Sequence, residues 1–173
     1  MKPAWWSLLL GLLLTLSALT PPAAGATDAP DEANIFIYHR FGDARYPSTN
    51  IDLQVFAQQL DWLKQQGRPV LSLGEVVRRL RAHEPLPAGC VVLTVDDAYR
   101  SFLDGAMPLL RRFGYPVTLF VNSDAVGAGG YLTWDELRKL AAEGVEIGNH
   151  SASHAYLLEH LPGESEDAWE QTM

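Results

Sequence analysis

Residues 90–97 read CVVLTVDD, an almost unbroken apolar run that stops abruptly at two carboxylates, Asp96 and Asp97. A run this short, rich in β-branched residues and apolar on both faces, predicts a strand buried on both sides, as in a parallel α/β sheet. Working outward, comparable runs recur at 34–38 (NIFIY), 68–71 (RPVL), 116–121 (PVTLFV) and 145–148 (VEIG). The segments between them carry helix signals. Leu53, Phe56, Leu60 and Leu63 recur at helical spacing behind Asp52 as an N-cap and ahead of Gly67. Ser72 and Glu75 have capping-box spacing before a helix predicted to reach Ala82, and Thr133 with Glu136 repeats that spacing before a helix ending at Glu143. Ser101 to Phe113 reads as a helix in spite of Pro108, closed by Gly114. Strand and helix alternate five times, with connections too long for hairpins, so the expected architecture is an α/β fold on a parallel sheet.

Parallel α/β folds assemble their sites at the C-terminal ends of the strands. Here the first strand ends at His39, the third at Asp96 and Asp97, the fourth at Asn122 and the fifth at Asn149 and His150. One end of a strand must be polar in any case, so a single such residue says little. Two adjacent carboxylates and several of the chain's five histidines on one rim say more. Asp96 and Asp97 repel each other in a dry site unless a cation or a shared proton intervenes, although one could instead cap a helix while the other is solvated. His150 and His154 are four apart, which puts both imidazoles on one face if the segment turns helical. That is the spacing of a two-histidine metal arm, and equally of two surface residues. Combined with a carboxylate, the pair makes a set of two nitrogens and one oxygen with a coordination position left open.

Composition narrows the functional classes. The 173 residues carry 13 Lys+Arg against 21 Asp+Glu, a net charge of -8, and 47% are apolar. This suits one globular domain and lacks the basic footprint of a nucleic-acid binder. The start of the chain reads as an export signal: Lys2, then an apolar run from Leu8 to Leu19, then Ala24-Gly25-Ala26 as a cleavage site. The expected organisation is a signal peptide over 1–26, a linker over 27–33 and one domain over 34–173, with no stable membrane span after cleavage. Cys90, the single cysteine, is expected to be a small buried core residue, and no disulfide framework exists. Trp62, Trp134 and Trp169 fall in predicted helices, where core packing is the expectation. His83 and His160 read as surface histidines.

Leu93-Thr94-Val95-Asp96-Asp97-Ala98-Tyr99 resembles the Thr-Phe-Asp-Asp-Gly motif of the polysaccharide deacetylases, carbohydrate esterase family four. His150-Ser151-Ala152-Ser153-His154 is similar to that family's His-Ser/Thr-x-x-His motif, and Ile37-Tyr38-His39-Arg40-Phe41 resembles the opening strand of its bacterial exopolysaccharide members. The resemblance implies a distorted (β/α) barrel of the deacetylase type, of which this chain supplies the first five strands. It also implies that Asp97, His150 and His154 ligate one divalent metal, zinc first, with cobalt, nickel or iron as alternatives, and that Asp96 is the general base. His39, Tyr99 and Asn149 are expected to contact substrate or support the site, with Arg100 and Ser151 as further neighbours. The implied activity is hydrolysis of N-acetyl or O-acetyl groups on an exported or envelope polysaccharide or oligosaccharide, in the periplasm or outside the cell. The alternative is a catalytically silent, carbohydrate-binding relative.

The chain departs from the family pattern in three respects. Val95 stands where the family has phenylalanine, and Ala98 stands in place of the glycine after the aspartate pair, a position that matters if it requires positive φ. The later motifs, including the Leu-x-x-His that supplies a general acid, find no match before Met173, from which an incomplete C-terminus is expected.

Overall fold

The computed structural model describes residues 32–155, 163 and 165–168. The segment expected to be an export signal, His160 and Trp169 lie outside the described residues, as does most of the expected linker. The sheet elements are β1 (Asn34–Tyr38), β2 (Arg40–Phe41), β3 (Asn50–Ile51), β4 (Val70–Leu71), β5 (Val91–Val95), β6 (Thr118–Val121) and β7 (Glu146–Asn149). The helices are α1 (Leu53–Gln65), α2 (Leu73–Arg81), α3 (Met107–Phe113) and α4 (Trp134–Ala142).

All five predicted strands join one sheet, and every pairing in it is parallel. β5 is its centre, and each of its five residues is buried. β1 runs along one edge of β5, from Asn34 opposite Val91 to Tyr38 opposite Val95. The other edge is shared: β4 pairs with Val91 and Val92, and β6 takes over at Thr94 and Val95. β7 then pairs with β6 along four residues. A second pair, β2 with β3, is also parallel and was not foreseen, because two-residue strands leave no periodic signal.

The helices pack one apolar face on this sheet. Phe56, Leu60 and Leu63 of α1 meet Leu93 and Val95 of β5, Leu110 of α3, and Leu137 and Leu140 of α4 in one core. Burial of each such side chain contributes about 1.5–3 kcal/mol, more than the strands' own propensities could. Trp62 and Trp134 are the exceptions: both are half exposed, contrary to the expected core packing. Trp62 lies between the core positions of α1, and Trp134 opens α4 beside its cap. A smaller cluster beneath the sheet holds Val76, Leu86, Val92 and Cys90, whose thiol is fully buried as expected. His83 is exposed, also as expected.

Caps follow the sequence closely. The Asp52 carboxylate accepts from the Gln54 and Val55 amides. Thr133 and Glu136 form a complete capping box on α4. At α2 only half of the box forms: Ser72 accepts from the Glu75 amide, while the Glu75 carboxylate is taken by Arg78 and Arg79. The helix predicted over 101–113 is not uniform. Residues 102–106 form a wide turn in which the Met107 amide reaches back to the Phe102 carbonyl, and α3 follows. Pro108, in the first turn of α3, has no N–H to continue the regular ladder, and the wide turn absorbs that loss.

Candidate metal centre

The rim at the ends of β1, β5, β6 and β7 carries the residues that the sequence singled out. β5 delivers Asp96 and Asp97, and there the backbone leaves extended geometry: φ is 72° at Asp97 and 55° at Ala98. The left-handed turn reverses the chain so that Asp97 points inward, 7% exposed, while Asp96 remains partly open. Ala98 therefore occupies the conformation for which a glycine is the cheaper residue. It does so with its methyl buried in the core, and its carbonyl accepts from the Leu132 amide.

β7 delivers the histidines, but not on a helix. Residues 150–155 form an irregular loop, with positive φ at Ser151 (64°) and His154 (56°). In place of a helical turn there are local side-chain bonds: Asn149 Oδ1 accepts from the Ser151 amide at 2.8 Å, and the Ser151 hydroxyl accepts from the His154 amide at 3.1 Å. Such bonds compete with helix formation. The end of β6 pins the loop from the other side, through the Ser123 amide to the Ser151 carbonyl and the Asp124 amide to the Ala152 carbonyl. The imidazoles of His150 and His154 meet edge to face at 4.8 Å between centroids. The four-residue spacing thus brings the rings together by a turn of a different kind.

Asp97 Oδ1 lies 3.4 Å from His150 Nε2 and 3.5 Å from His154 Nε2. One donor atom from each of the three residues lies within 4.8 Å of the other two. Asp97 Oδ1 and His150 Nε2 are buried and have no hydrogen-bond partner. Leaving buried polar atoms unsatisfied costs about 1–3 kcal/mol each, which an ion between them would remove. Ligands at about 2.1 Å from a tetrahedral ion stand about 3.4 Å from one another, the separation seen here. The donor set fits a divalent transition metal.

The other predicted residues surround this point. His39 Nε2 is 3.8 Å from Asp96 Oδ2, so the first strand's histidine faces the carboxylate that does not face the histidine pair. Tyr99 bridges to Tyr131 across the rim, with ring centroids 4.9 Å apart. Burial, the Tyr131 hydroxyl and the adjacent Asp97 carboxylate push the Tyr99 phenol well above its ordinary pKa. Arg100 forms a paired contact with Glu136 of α4, at 2.9 and 2.8 Å. Asp97, Tyr99, Asn122, Tyr131 and His154 line a cavity of about 380 Å³. Asn122 Oδ1 is also buried without a partner there. Tyr131 and the pair Arg40 and Tyr46 were not anticipated as neighbours of the site. Tyr46 and Tyr131 lie in loops that follow strands, and Arg40 opens β2, so aromatic and basic character is their sequence signal.

Comparison with known proteins agrees with this architecture. The family model described as polysaccharide deacetylase matches residues 83–172. Among curated proteins, the chain is 28% identical over 130 residues to the poly-beta-1,6-N-acetyl-D-glucosamine N-deacetylase of Escherichia coli (strain K12), covering 66% of this chain and 19% of that protein. It is 26% identical over 109 residues to the protein of the same name from Staphylococcus epidermidis, covering 63% of this chain and 37% of that one. The chain therefore spans less than half the length of these curated relatives. Among solved structures, a Streptococcus pyogenes deacetylase in complex with acetate superimposes with a TM-score of 0.65 at 26% identity, over 81% of this chain and 68% of that one. IcaB from Ammonifex degensii gives 0.66 at 28% identity, over 78% and 62%. The parallel sheet is thus part of the deacetylases' barrel-type fold, and this chain belongs to the polysaccharide deacetylase family.

Proposed function

We propose that this chain carries the metal-binding part of a hydrolase that removes N-acetyl groups from an exported or envelope polysaccharide. The observation that carries the reading is the convergence of Asp97, His150 and His154, with Asp97 Oδ1 and His150 Nε2 buried and unpartnered, in a chain of this family. These three residues hold one divalent ion, with zinc the first choice for two imidazoles and a carboxylate. When bound, such an ion supplies Lewis acidity to a water and to an acyl carbonyl.

The chain's own residues supply the rest. Asp96, partly open and beside the ligand carboxylate, accepts a proton as water adds to the acyl carbon, and that proton passes to the amine nitrogen as the C–N bond breaks to give acetate and the free amine. His39, 3.8 Å away, steadies the Asp96 carboxylate and lines the approach to it. Tyr99 flanks Asp97, and Asn149 shapes the histidine loop through its bond to the Ser151 amide. The names of the curated relatives support a poly-N-acetylglucosamine substrate, and export agrees with such a polymer. In this reading residues 1–26 are a signal peptide, 27–33 a linker and 34–173 the deacetylase domain.

The test is acetate release by the zinc-loaded chain from β-1,6-linked N-acetylglucosamine oligomers, chitin oligomers and an O-acetylated glycan, with and without chelator. Acetate from an N-acetylated oligomer that stops on chelation is the expected result. Metal binding with no acetate from any glycan contradicts the enzymatic reading and leaves a carbohydrate-binding domain.

A further inference from the structure

A second, larger groove of about 630 Å³ opens on the same rim, lined by Arg40, Tyr46, Tyr99, Asp104 and Tyr131 among others. Tyr99 and Tyr131 line both this groove and the cavity at the metal centre, so the two spaces share a wall. The feature that marks the groove is Arg40. Its guanidinium carbon lies 3.4 Å from the centroid of Tyr99 and 3.8 Å from that of Tyr46. Two rings this close to one planar cation occupy its opposite faces, and they fix the plane of the fork.

What remains free is the edge. A guanidinium donates its five N–H groups in plane, and none of those on Arg40 meets a carboxylate: among the described residues no acid comes within ion-pair distance of it. The groove's other cations are neutralised. Arg45 is held by both oxygens of Asp43, at 2.8 and 2.9 Å, and Arg100 by both oxygens of Glu136. Asp104 is exposed and lies outside ion-pair range of Arg40. Asp43 also lines the groove and feels the Arg40 charge, but both of its oxygens are bonded to Arg45. On a chain with a net charge of -8, a preorganised fork whose edge meets no carboxylate, beside the acyl-binding point, is an oxyanion receptor.

We infer that this groove is a subsite for an anionic substituent on the glycan, a carboxylate or phosphate on the acetylated sugar or on its neighbour, gripped by the edge of Arg40, with Tyr131 as the wall shared with the acetyl site. The inference rests on the deacetylase reading for the neighbouring acetyl site, but it concerns binding, so the two fail separately.

The experiment is calorimetric titration of the zinc-loaded full chain, at low salt, with a hyaluronan tetrasaccharide (alternating N-acetylglucosamine and glucuronate) and with neutral chitotetraose. N-acetylglucosamine 1-phosphate against N-acetylglucosamine forms the phosphate arm. At least one acidic ligand is expected to bind about tenfold or more tightly than its neutral counterpart, and the arm that shows it identifies the oxyanion. Arg40→Met should abolish the preference without weakening the neutral ligand. If Arg40→Met does not fold, Arg40→Lys, which keeps a cation on the rings without the fork, should reduce the preference severalfold, and Asp104→Asn should increase it. Equal affinity for acidic and neutral ligands in the unmodified chain overturns the proposal. So does a preference that survives loss of the fork, or a loss of both ligands together, which would mark the stack as a tie between loops.

Discussion

Asp97 and His150 face each other at 3.4 Å, Oδ1 to Nε2, both atoms buried and neither hydrogen-bonded. Two elements distant in sequence, the end of β5 and the end of β7, spend desolvation energy to create this contact. An ion that binds only the folded chain recovers that cost and stabilises by mass action, about 2.7 kcal/mol at a hundredfold excess over its dissociation constant. Zinc should therefore raise the thermal midpoint by about 5–10 °C for a chain of this length, and chelator should reverse the rise. His154→Ala, at the most exposed of the three proposed ligands, should abolish the shift while leaving the metal-free midpoint nearly unchanged; differential scanning fluorimetry reads both.

Asp96 and Asp97 are adjacent but face different partners, His39 and the histidine pair. Asp96→Asn should keep one metal per chain and lose acetate release by about 10²–10⁴-fold, the range for a general base. Asp97→Asn should lose the metal as well. Elemental analysis alongside an acetate assay separates the two variants.

Ala98 sits at φ 55° with its methyl buried. Restoring glycine relieves about 1 kcal/mol of left-handed strain, but it removes a methyl worth about 0.8 kcal/mol and frees the unfolded chain. Ala98→Gly should thus lie within about 1 kcal/mol of the parent in urea unfolding. Ala98→Val combines a β-branched residue at positive φ with overpacking, and should cost about 2–4 kcal/mol.

Glu146 of β7 closes the opposite end of the sheet, where its carboxylate accepts from the Thr118 hydroxyl at 2.8 Å and from the Gly74 amide at the start of α2. Burial pushes its pKa up, but the hydrogen bonds from Thr118, Gly74, Ser72 and Leu73 outweigh burial and hold it below the ordinary value. A depressed carboxylate stabilises the fold above its unfolded value of 4.5 and ceases to do so as pH falls through the folded value. Glu75 and Glu136 are depressed as well, by arginine contacts and by the Thr133 cap respectively. The Glu146 share is therefore read as a difference: Glu146→Gln should be less stable than the parent at pH 6, with the gap closing below pH 4.5. A gap that is constant with pH in denaturant titrations would contradict the assignment.

Much of this was legible in the sequence because the signals are local. The apolar run at 91–95 could be nothing but a buried strand, and the caps at Asp52 and Thr133 state where helices begin. The rim residues followed from where strands end. The form of the histidine loop was not legible: the spacing of His150 and His154 puts both rings on one face of a helix, but Asn149 and Ser151 side chains capture backbone amides that a helix would need, and the rings meet by another turn. The wide turn at 102–106, in which the Met107 amide bonds the Phe102 carbonyl, leaves no periodic signal that distinguishes it from the helix that follows. Gly148 had a reason that no local pattern reveals: a Cβ there would fall 2.5 Å from the Phe120 ring on the neighbouring strand. The stacking of Arg40 between Tyr46 and Tyr99 joins residues up to 59 positions apart, and only the folded sheet brings them together.

The central claim, one ion held by two imidazoles and one carboxylate, is tested most directly by X-ray absorption spectroscopy of the zinc-loaded chain. The account predicts a shell of nitrogen and oxygen at about 2.0–2.2 Å with the scattering signature of two imidazoles, reduced to one imidazole in His154→Ala. A sulfur shell at about 2.3 Å, an all-oxygen shell, or an unchanged spectrum in that variant would contradict it.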